Sequence, residues 1–232
     1  LLENPNPTAA IYCKTGECEI RITARAQNDA EAQTMCRAYA KKFYDLLGDA
    51  VYDEDVAGLE ETVVHTLQAN GLTIATAESC TGGLLSGRIT AVSGASEVFD
   101  CGVCSYANEI KHKVLGVSEE TLNTLGAVSP ETALQMAEGV KKLANADIGA
   151  STTGIAGPTG GTEEKPVGLV YVGICANCSK FPVKLLLGET NGSKNSRNYI
   201  RKLACNAVLY TIWKLTLSLI HISEPTRLGM IS

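Results

Sequence analysis

The sequence has no long run of Lys and Arg, no long apolar run and few charged residues, which make up 19% of its 232 positions. The formal net charge is −5, whereas proteins that bind nucleic acid or anionic membrane surfaces generally carry a concentrated basic patch. No stretch approaches the roughly 18 uninterrupted apolar residues of a membrane span, and the first residues lack a secretory signal pattern. We therefore expect a cytoplasmic globular protein that contacts neither nucleic acid nor membrane.

Cysteine is abundant, with nine residues, but their odd number and wide spacing are not those of a disulfide-stapled miniprotein. We expect most of them to be reduced and buried. Two pairs with two-residue spacing, Cys101 with Cys104 and Cys175 with Cys178, could supply a four-thiolate zinc site. Both pairs fall in or at the end of β-like runs, where residues three apart point to opposite faces. We therefore interpret them as small core side chains and predict no metal site and no cofactor.

The first part of the chain has the pattern of a small ββα unit. Apolar and polar side chains alternate over residues 18–24 with the period of a half-buried strand, and the preceding Thr15-Gly16 predicts a hairpin. Asn28 or Asp29 can cap a helix that ends at Gly48. The apolar face of this helix would include Ala32, Met35, Cys36, Tyr39, Phe43 and Leu46. Because the chain begins with Leu1 rather than Met, we expect it to be a fragment of a longer protein.

An acidic stretch at 53–55 marks a linker to a second domain. There a helix with Leu59, Val63 and Leu67 on one face is followed by alternating strands and helices, which is typical of a layered α/β domain. Residues 217–232 do not continue this pattern, and we interpret them as a non-native tail. The predicted strands cover 72–77, 98–106, 147–152, 167–174 and 183–187, and the predicted helices cover 108–115, a segment capped by Ser129 with Pro130 in its first turn, and a final helix from about Ser193.

The most informative feature is the run 76–83, which places two candidate nucleophiles, Ser79 and Cys80, on a sharp turn between a strand and a helix. In open α/β sheets ligands bind at the carboxyl ends of strands, and N–H groups at a helix start attract anions. Gly82 and Gly83 would let a ligand approach closely. A tight turn with a Ser or Thr cap would give the same local pattern.

Three other segments could meet this turn at one edge of the sheet. Residues 106–111 close a strand and open a helix, and a solvated helix lysine is the alternative interpretation of Lys111. The loop 152–161 is rich in glycine but fits neither a P-loop nor a dinucleotide fingerprint. Three basic residues spaced for one face of the final helix suit a phosphate, although a solvated basic stripe has the same spacing. They are Lys194, Arg197 and Arg201.

Several motifs in one order resemble those of the CinA carboxy-terminal domain family, the nicotinamide-nucleotide amidohydrolases. The resemblance covers about residues 59–215, and the preceding residues resemble the KH-like module of CinA proteins. That module has no Gly-x-x-Gly loop, so RNA binding is not expected. The family's amino-terminal molybdopterin-binding-like domain is absent, and we assign no pyrophosphatase activity. The motifs are those at 77–83, 106–111, 126–129, 153–158 and 163–168.

The resemblance implies a three-layer α/β/α amidase domain at 57–216 after a small α+β KH-like module at 1–56. It implies hydrolysis of the carboxamide of nicotinamide mononucleotide to nicotinate mononucleotide and ammonia, in pyridine nucleotide salvage, by a homodimer in the cytoplasm of a bacterium. The alternative is a non-catalytic nucleotide-binding or regulatory domain of a competence- or damage-inducible protein. The joint presence of Ser79, Tyr106 and Lys111 favours the enzyme.

By position in the family motifs, Ser79 is the expected nucleophile, Lys111 its base, and Tyr106 a residue that orients the lysine or relays a proton. The amides of Cys80, Thr81 or Gly82, in the turn that Gly83 completes, are expected to form an oxyanion hole. Arg197 and Arg201 would bind the 5′-phosphate. The remaining expected substrate-binding residues are Glu78, Asn108, Thr153, Gly154, Ala156 and Gly157.

Cys80 is the alternative nucleophile, because thiolates react readily and a helix start lowers a thiol pKa. No histidine is evidently placed to activate it, since His65 belongs to a helix before the strand and His112 would point away from Lys111. We therefore favour Ser79.

Overall fold

The structure, a computed structural model, describes residues 1–177, 179–190 and 192–223, with side chains as far as Ser218. It divides into two compact units, Leu1–Asp55 and Val56–Ser232. No helix among the described residues is long and apolar enough to cross a membrane.

The first unit is a β-hairpin followed by one long helix. Strands β1 (Thr8–Lys14) and β2 (Glu17–Thr23) pair antiparallel, and α1 (Asp29–Leu47) follows. The Asn28 side chain accepts a hydrogen bond from the Glu31 amide, so the predicted cap is confirmed. The predicted apolar faces are only partly right. Tyr39 and Phe43 are buried, but Leu46 is 70% exposed and Cys18 lies on the surface of the hairpin.

The second unit alternates helices and strands as predicted, and it also contains a short helix, α5 (Glu119–Thr124), and two two-residue strands, β8 (Glu189–Thr190) and β9 (Ser193–Lys194). Ser118 caps α5 by accepting a hydrogen bond from the Thr121 amide. The predicted helix at 108–115 and the Ser129 cap with Pro130 are both confirmed. The elements are α2 (Leu59–Ala69), β3 (Ile74–Glu78), α3 (Leu84–Thr90), β4 (Phe99–Cys104), α4 (Asn108–Leu115), α5 (Glu119–Thr124), α6 (Pro130–Ala144), β5 (Ile148–Gly154), β6 (Leu169–Ala176), β7 (Lys180–Leu186), β8 (Glu189–Thr190), β9 (Ser193–Lys194) and α7 (Arg197–Ser223).

The main sheet has five strands in the order β4-β3-β5-β6-β7. β3 is parallel to β4 and β5, while β6 is antiparallel to β5 and β7. One face packs on α6, where Gly149 and Gly173 let the helix backbone approach so closely that a Cβ atom would collide with it. The opposite face carries α3 and α7. The three-layer α/β/α prediction is therefore confirmed, with a mixed sheet at its centre.

One prediction about the end of the chain is wrong, and another lies partly outside the described residues. Lys194 lies in β9, before α7 begins at Arg197, so it does not share a helix face with the two arginines. The helix continues through Ser223, while residues 224–232 of the predicted tail lie outside the described residues.

The cysteines are more exposed than predicted. Of the eight in the described part of the chain, only Cys80 and Cys205 are buried. Cys178, one of the four thiols of the zinc alternative, lies outside the described residues.

Candidate active site

The ends of the three parallel strands meet at the turn that follows β3. The Ser79 amide donates to the Thr152 carbonyl at 2.9 Å, and the Ser105 amide donates to the Glu78 carbonyl at 2.9 Å. Thr81 Oγ1 lies 2.6 Å from Thr152 Oγ1. These contacts fix the turn at the carboxyl edge of the sheet, where ligands bind in open α/β folds.

Glu78 holds the turn from inside. Its carboxylate is completely buried and accepts four hydrogen bonds: from the amides of Gly83, Leu85 and Ser86 at 2.9, 3.1 and 2.8 Å, and from the Ser86 hydroxyl at 2.6 Å. A buried carboxylate at a helix start satisfies orphan amides and complements the helix dipole. The geometry therefore gives Glu78 a structural role, and its predicted contact with substrate has no support in these hydrogen bonds.

We expect Glu78→Gln to lower the stability of the second unit by roughly 2 to 4 kcal/mol, because an amide NH₂ would face donors that now meet a charged acceptor. Fluorescence of Trp213, the single tryptophan of the chain, reports urea unfolding of this unit. The exposed Glu164→Gln is the matched control and should change stability by less than about 0.5 kcal/mol. Equal midpoints for the two variants would show that the carboxylate charge does not hold the turn.

Lys111 is a buried amine at the start of α4. Its side chain is 0% exposed, and Nζ donates to the carbonyls of Ser105 at 2.8 Å and Tyr106 at 3.1 Å. No carboxylate pairs with it among the described residues. Burial lowers the pKa of Lys111 below its ordinary value, because desolvation disfavours the charged form. The alternative of a solvated helix lysine is therefore wrong.

Ser79 and Cys80 have different surroundings. Ser79 is partly exposed, and its hydroxyl makes no hydrogen bond within the described part of the chain. Cys80 is buried in a cluster with Ala156, Val170 and Ile200, and desolvation raises the pKa of its thiol to about 11. The expectation that the helix start would lower this pKa is wrong, because burial outweighs the dipole. Cys80 is a core thiol in this structure.

Only some of the backbone amides of the turn donate a hydrogen bond. The Gly83 amide is bound to Glu78, and the Cys80 amide lies against its own thiol. The amides of Thr81 and Gly82 meet no acceptor among the residues that the structure describes. Gly82 is exposed with φ +57°, a conformation that favours glycine. Thr81 is completely buried, so the exposed Gly82 amide is the candidate donor for an oxyanion.

The two arginines of α7 connect the segments of the site. Arg197 Nη1 donates to the Gly157 carbonyl at 2.8 Å, and Nη2 donates to the Tyr106 hydroxyl at 3.0 Å. Arg201 donates from Nε to the Cys80 carbonyl at 3.1 Å and from Nη2 to the Thr81 carbonyl at 2.6 Å. Neither arginine pairs with a carboxylate of the described residues. The Tyr106 carbonyl therefore accepts a hydrogen bond from Lys111, whereas the Tyr106 hydroxyl accepts one from Arg197.

The glycine-rich loop 152–161 lines the site with its backbone rather than with reactive side chains. The Thr153 hydroxyl donates to the Ala127 carbonyl at 2.6 Å, and Ala156 is buried. A Cβ on Gly154 or Gly157 would lie within 2.6 Å of neighbouring atoms, so both positions need glycine. Asn108 is exposed at the first position of α4.

Ser105 is a residue of the site that sequence reasoning missed. Its carbonyl holds Lys111, and its own hydroxyl is buried without a hydrogen-bond partner among the described residues. The sequence signal that could have identified Ser105 as a site residue was its position directly after β4, one residue before Tyr106.

Comparison with known proteins agrees with this architecture. Residues 56–216 match the CinA C-terminal domain, and residues 1–52 match the damage-inducible protein CinA KH domain. A CinA-like protein from Kosmotoga olearia is 49% identical over 221 residues, which are 95% of this chain and 52% of the relative. The chain spans about half the length of the curated relatives it matches.

Two solved structures are similar to this chain over about three quarters or less of its length. The competence/damage inducible protein CihA from Agrobacterium tumefaciens is 37% identical with a TM-score of 0.60, over 75% of this chain and 99% of that chain. A CinA superfamily protein from Klebsiella pneumoniae is 29% identical with a TM-score of 0.63, over 69% and 96%. The fold of the second unit is that of a CinA-type α/β/α domain. The chain belongs to the CinA family.

Proposed function

We propose that the second unit hydrolyses the carboxamide of nicotinamide mononucleotide to nicotinate mononucleotide and ammonia. The observation that carries this proposal is the buried amine of Lys111, which has no carboxylate partner among the described residues and lies at the strand edge that carries Ser79. A serine hydroxyl with a lysine base is an established arrangement for acyl transfer. The resemblance to nicotinamide-nucleotide amidohydrolases supplies the substrate.

The hydrogen bonds of Lys111 suit a neutral amine. A neutral amine has two N–H donors and one lone pair, and two carbonyls already accept from Nζ. The lone pair is then free to take a proton. A charged ammonium would carry a third N–H group with no partner in the buried site, which is unfavourable. Burial therefore favours the neutral form of Lys111, which is the form that can act as a base.

The reaction divides into two steps. Lys111 takes the Ser79 proton as Oγ attacks the carboxamide carbon, and the amide of Gly82 binds the oxyanion. Lys111 then gives its proton to the nitrogen, and the C–N bond breaks to release ammonia and leave an ester on Ser79. Water, deprotonated by Lys111, attacks this ester, and the acyl C–Oγ bond breaks as Lys111 returns the proton to Ser79 Oγ. The acid product loses its own proton to solvent and leaves as the carboxylate. The structure contains no direct Ser79–Lys111 hydrogen bond, and such contacts commonly tighten when substrate binds.

The arginines favour an anionic group beside the turn and the Gly157 loop. Arg197 and Arg201 add two positive charges beside the Gly157 loop and the turn, without carboxylates of the described residues to neutralise them. Arg201 uses two donors on the turn carbonyls, so we assign it the positioning of the turn. Arg197 contacts one carbonyl and one hydroxyl, partners that a phosphate can replace because charge-assisted bonds are stronger.

Arg197→Ala is expected to raise KM for nicotinamide mononucleotide about 10- to 100-fold with little change in kcat, because a charged hydrogen bond to phosphate is lost. Kinetics with nicotinamide riboside, which lacks the phosphate, should be unaffected. Lys202→Ala, an exposed change on the same helix, is the control. An equal loss on both substrates would mean that Arg197 acts by holding Tyr106 and Gly157.

The first test of the proposed function is ammonia release from nicotinamide mononucleotide by the unmodified protein. Turnover with preference over the riboside supports the amidase. Binding of the mononucleotide without ammonia release, in protein shown to be folded by Trp213 fluorescence, would favour the non-catalytic nucleotide-binding alternative.

We also propose a homodimer in the bacterial cytoplasm, as the resemblance implies. Light scattering of the purified protein measures the oligomeric state, and a monomeric mass would contradict this part of the proposal.

A further inference from the structure

The β1–β2 hairpin of the first unit carries two cysteines that face each other across the strands. The register pairs Cys13 with Cys18, and both are exposed. The Cys13 thiol lies within hydrogen-bonding reach of Cys18, and local desolvation together with this contact raises the pKa of the Cys18 thiol. The hairpin therefore presents two neighbouring thiols to solvent.

The backbone geometry of this pair suits a covalent bridge. Directly opposed residues of an antiparallel pair have Cα atoms about 4.5 to 5.5 Å apart, within the roughly 4.4 to 6.8 Å that disulfides span. The strands on both sides keep their register, from Thr8 opposite Thr23 to Lys14 opposite Glu17. The usual spacing of opposed residues therefore allows a bond between the two sulfur atoms.

The other described cysteines lack this arrangement. Cys80 and Cys205 are buried, and desolvation raises their thiol pKa values to about 11 and 12. Cys104 is exposed but pairs with Glu78, and Cys101 pairs with Ala75. Within the sheets of the described residues, Cys13 and Cys18 are the only cysteines that are register partners.

We propose that Cys13 and Cys18 are a thiol-modification site that forms a reversible disulfide by exchange with a low-molecular-weight disulfide such as oxidised glutathione. The Cys13 thiolate attacks one sulfur of the small disulfide, forms a mixed disulfide and releases one thiolate. The Cys18 thiolate then attacks the Cys13 sulfur, closes the bridge and releases the second thiolate. The two protein thiols are oxidised, the small disulfide is reduced to two thiols, and the two cysteine protons balance the released thiolates.

The thiolate is the attacking species, and the second thiol of the pair resolves the mixed disulfide. Because Cys18 lies directly opposite, it reaches the mixed disulfide as soon as this forms. Excess reduced glutathione reverses both steps. This site is independent of the proposed amidase activity.

Peptide mapping tests the proposal directly, because Lys14 separates the two cysteines. Trypsin cuts after Lys14 and Arg21, so Cys13 falls in peptide 1–14 and Cys18 in peptide 15–21, each with no other cysteine. The folded chain is treated with oxidised glutathione, its free thiols are alkylated, and the digest is analysed by mass spectrometry without reductant. We expect a linked 1–14/15–21 species to replace the two alkylated peptides, and reduced glutathione to restore them.

Two variants control this experiment. Cys13→Ser should abolish the linked species, whereas Cys104→Ser, which removes an exposed cysteine of the second unit, should leave its yield unchanged. Peptides that carry only alkyl groups or single glutathione adducts would overturn the proposal. So would peptide 1–14 linked to a second copy of itself, because that product requires contact between two chains instead of a bridge within the hairpin.

Discussion

Ammonia release from nicotinamide mononucleotide is expected to fall about 10⁴-fold or more in kcat when Ser79 is replaced by alanine, since loss of a nucleophile removes the covalent route. The residual rate would come from the oxyanion donors and substrate binding alone. Stability should change little, because the Ser79 hydroxyl makes no hydrogen bond to the described residues and its amide, bound to Thr152, is kept. The measurement is kcat with unfolding midpoints from Trp213 fluorescence.

Two further variants identify the nucleophile. Ser93→Ala changes an exposed loop serine and should leave kcat unchanged. Cys80→Ala removes the thiol that competes with Ser79 and should retain most of the activity, because burial raises the pKa of Cys80 to about 11 and keeps it protonated at neutral pH. An active Ser79→Ala enzyme together with an inactive, folded Cys80→Ala enzyme would transfer the nucleophile to Cys80.

The parts of the fold that could be predicted from sequence are those with strong local signals. The helix Asn108–Leu115 and the Ser129 cap followed by Pro130 were predicted correctly, because capping and helical spacing are properties of a few neighbouring residues. The start of α7 was placed too early. Residues 189–190 pair antiparallel with residues 193–194, and strands of two residues are too short to show an alternating pattern.

The site could be predicted at the level of segments. Hydrogen bonds join the turn, Tyr106, Gly157 and the α7 arginines, which is the convergence that the strand-end argument anticipates. The role of each side chain depends on tertiary packing. Arg201 points at two turn carbonyls, and Glu78 satisfies amides inside the turn. The sequence shows charges at these positions, but it does not show which partners neutralise them.

Lys111→Met is the second decisive change, because methionine keeps the length of the side chain and removes the base. We expect kcat to fall about 10²- to 10⁴-fold, the usual contribution of a general base. Lys113→Met, an exposed change on the same helix, should have no such effect. In the unmodified enzyme, kcat/KM should rise with pH through an inflection below the ordinary lysine pKa of about 10.4, because burial lowers the pKa of Lys111 and only the neutral amine accepts the Ser79 proton.

The pH dependence of the free energy of unfolding gives an independent measure of the titration of Lys111. Between the lowered pKa of folded Lys111 and about 10.4, the unfolded chain binds more protons than the folded chain, so stability rises with pH. The slope contributed by Lys111 is positive within this window and at most about 1.4 kcal/mol per pH unit, and it should be absent from Lys111→Met and retained in Lys113→Met. A Lys111→Met protein that loses activity but keeps the slope would show that the titrating amine lies elsewhere. If both the slope and the inflection disappear together, the buried amine that destabilises the fold is the amine that activates Ser79.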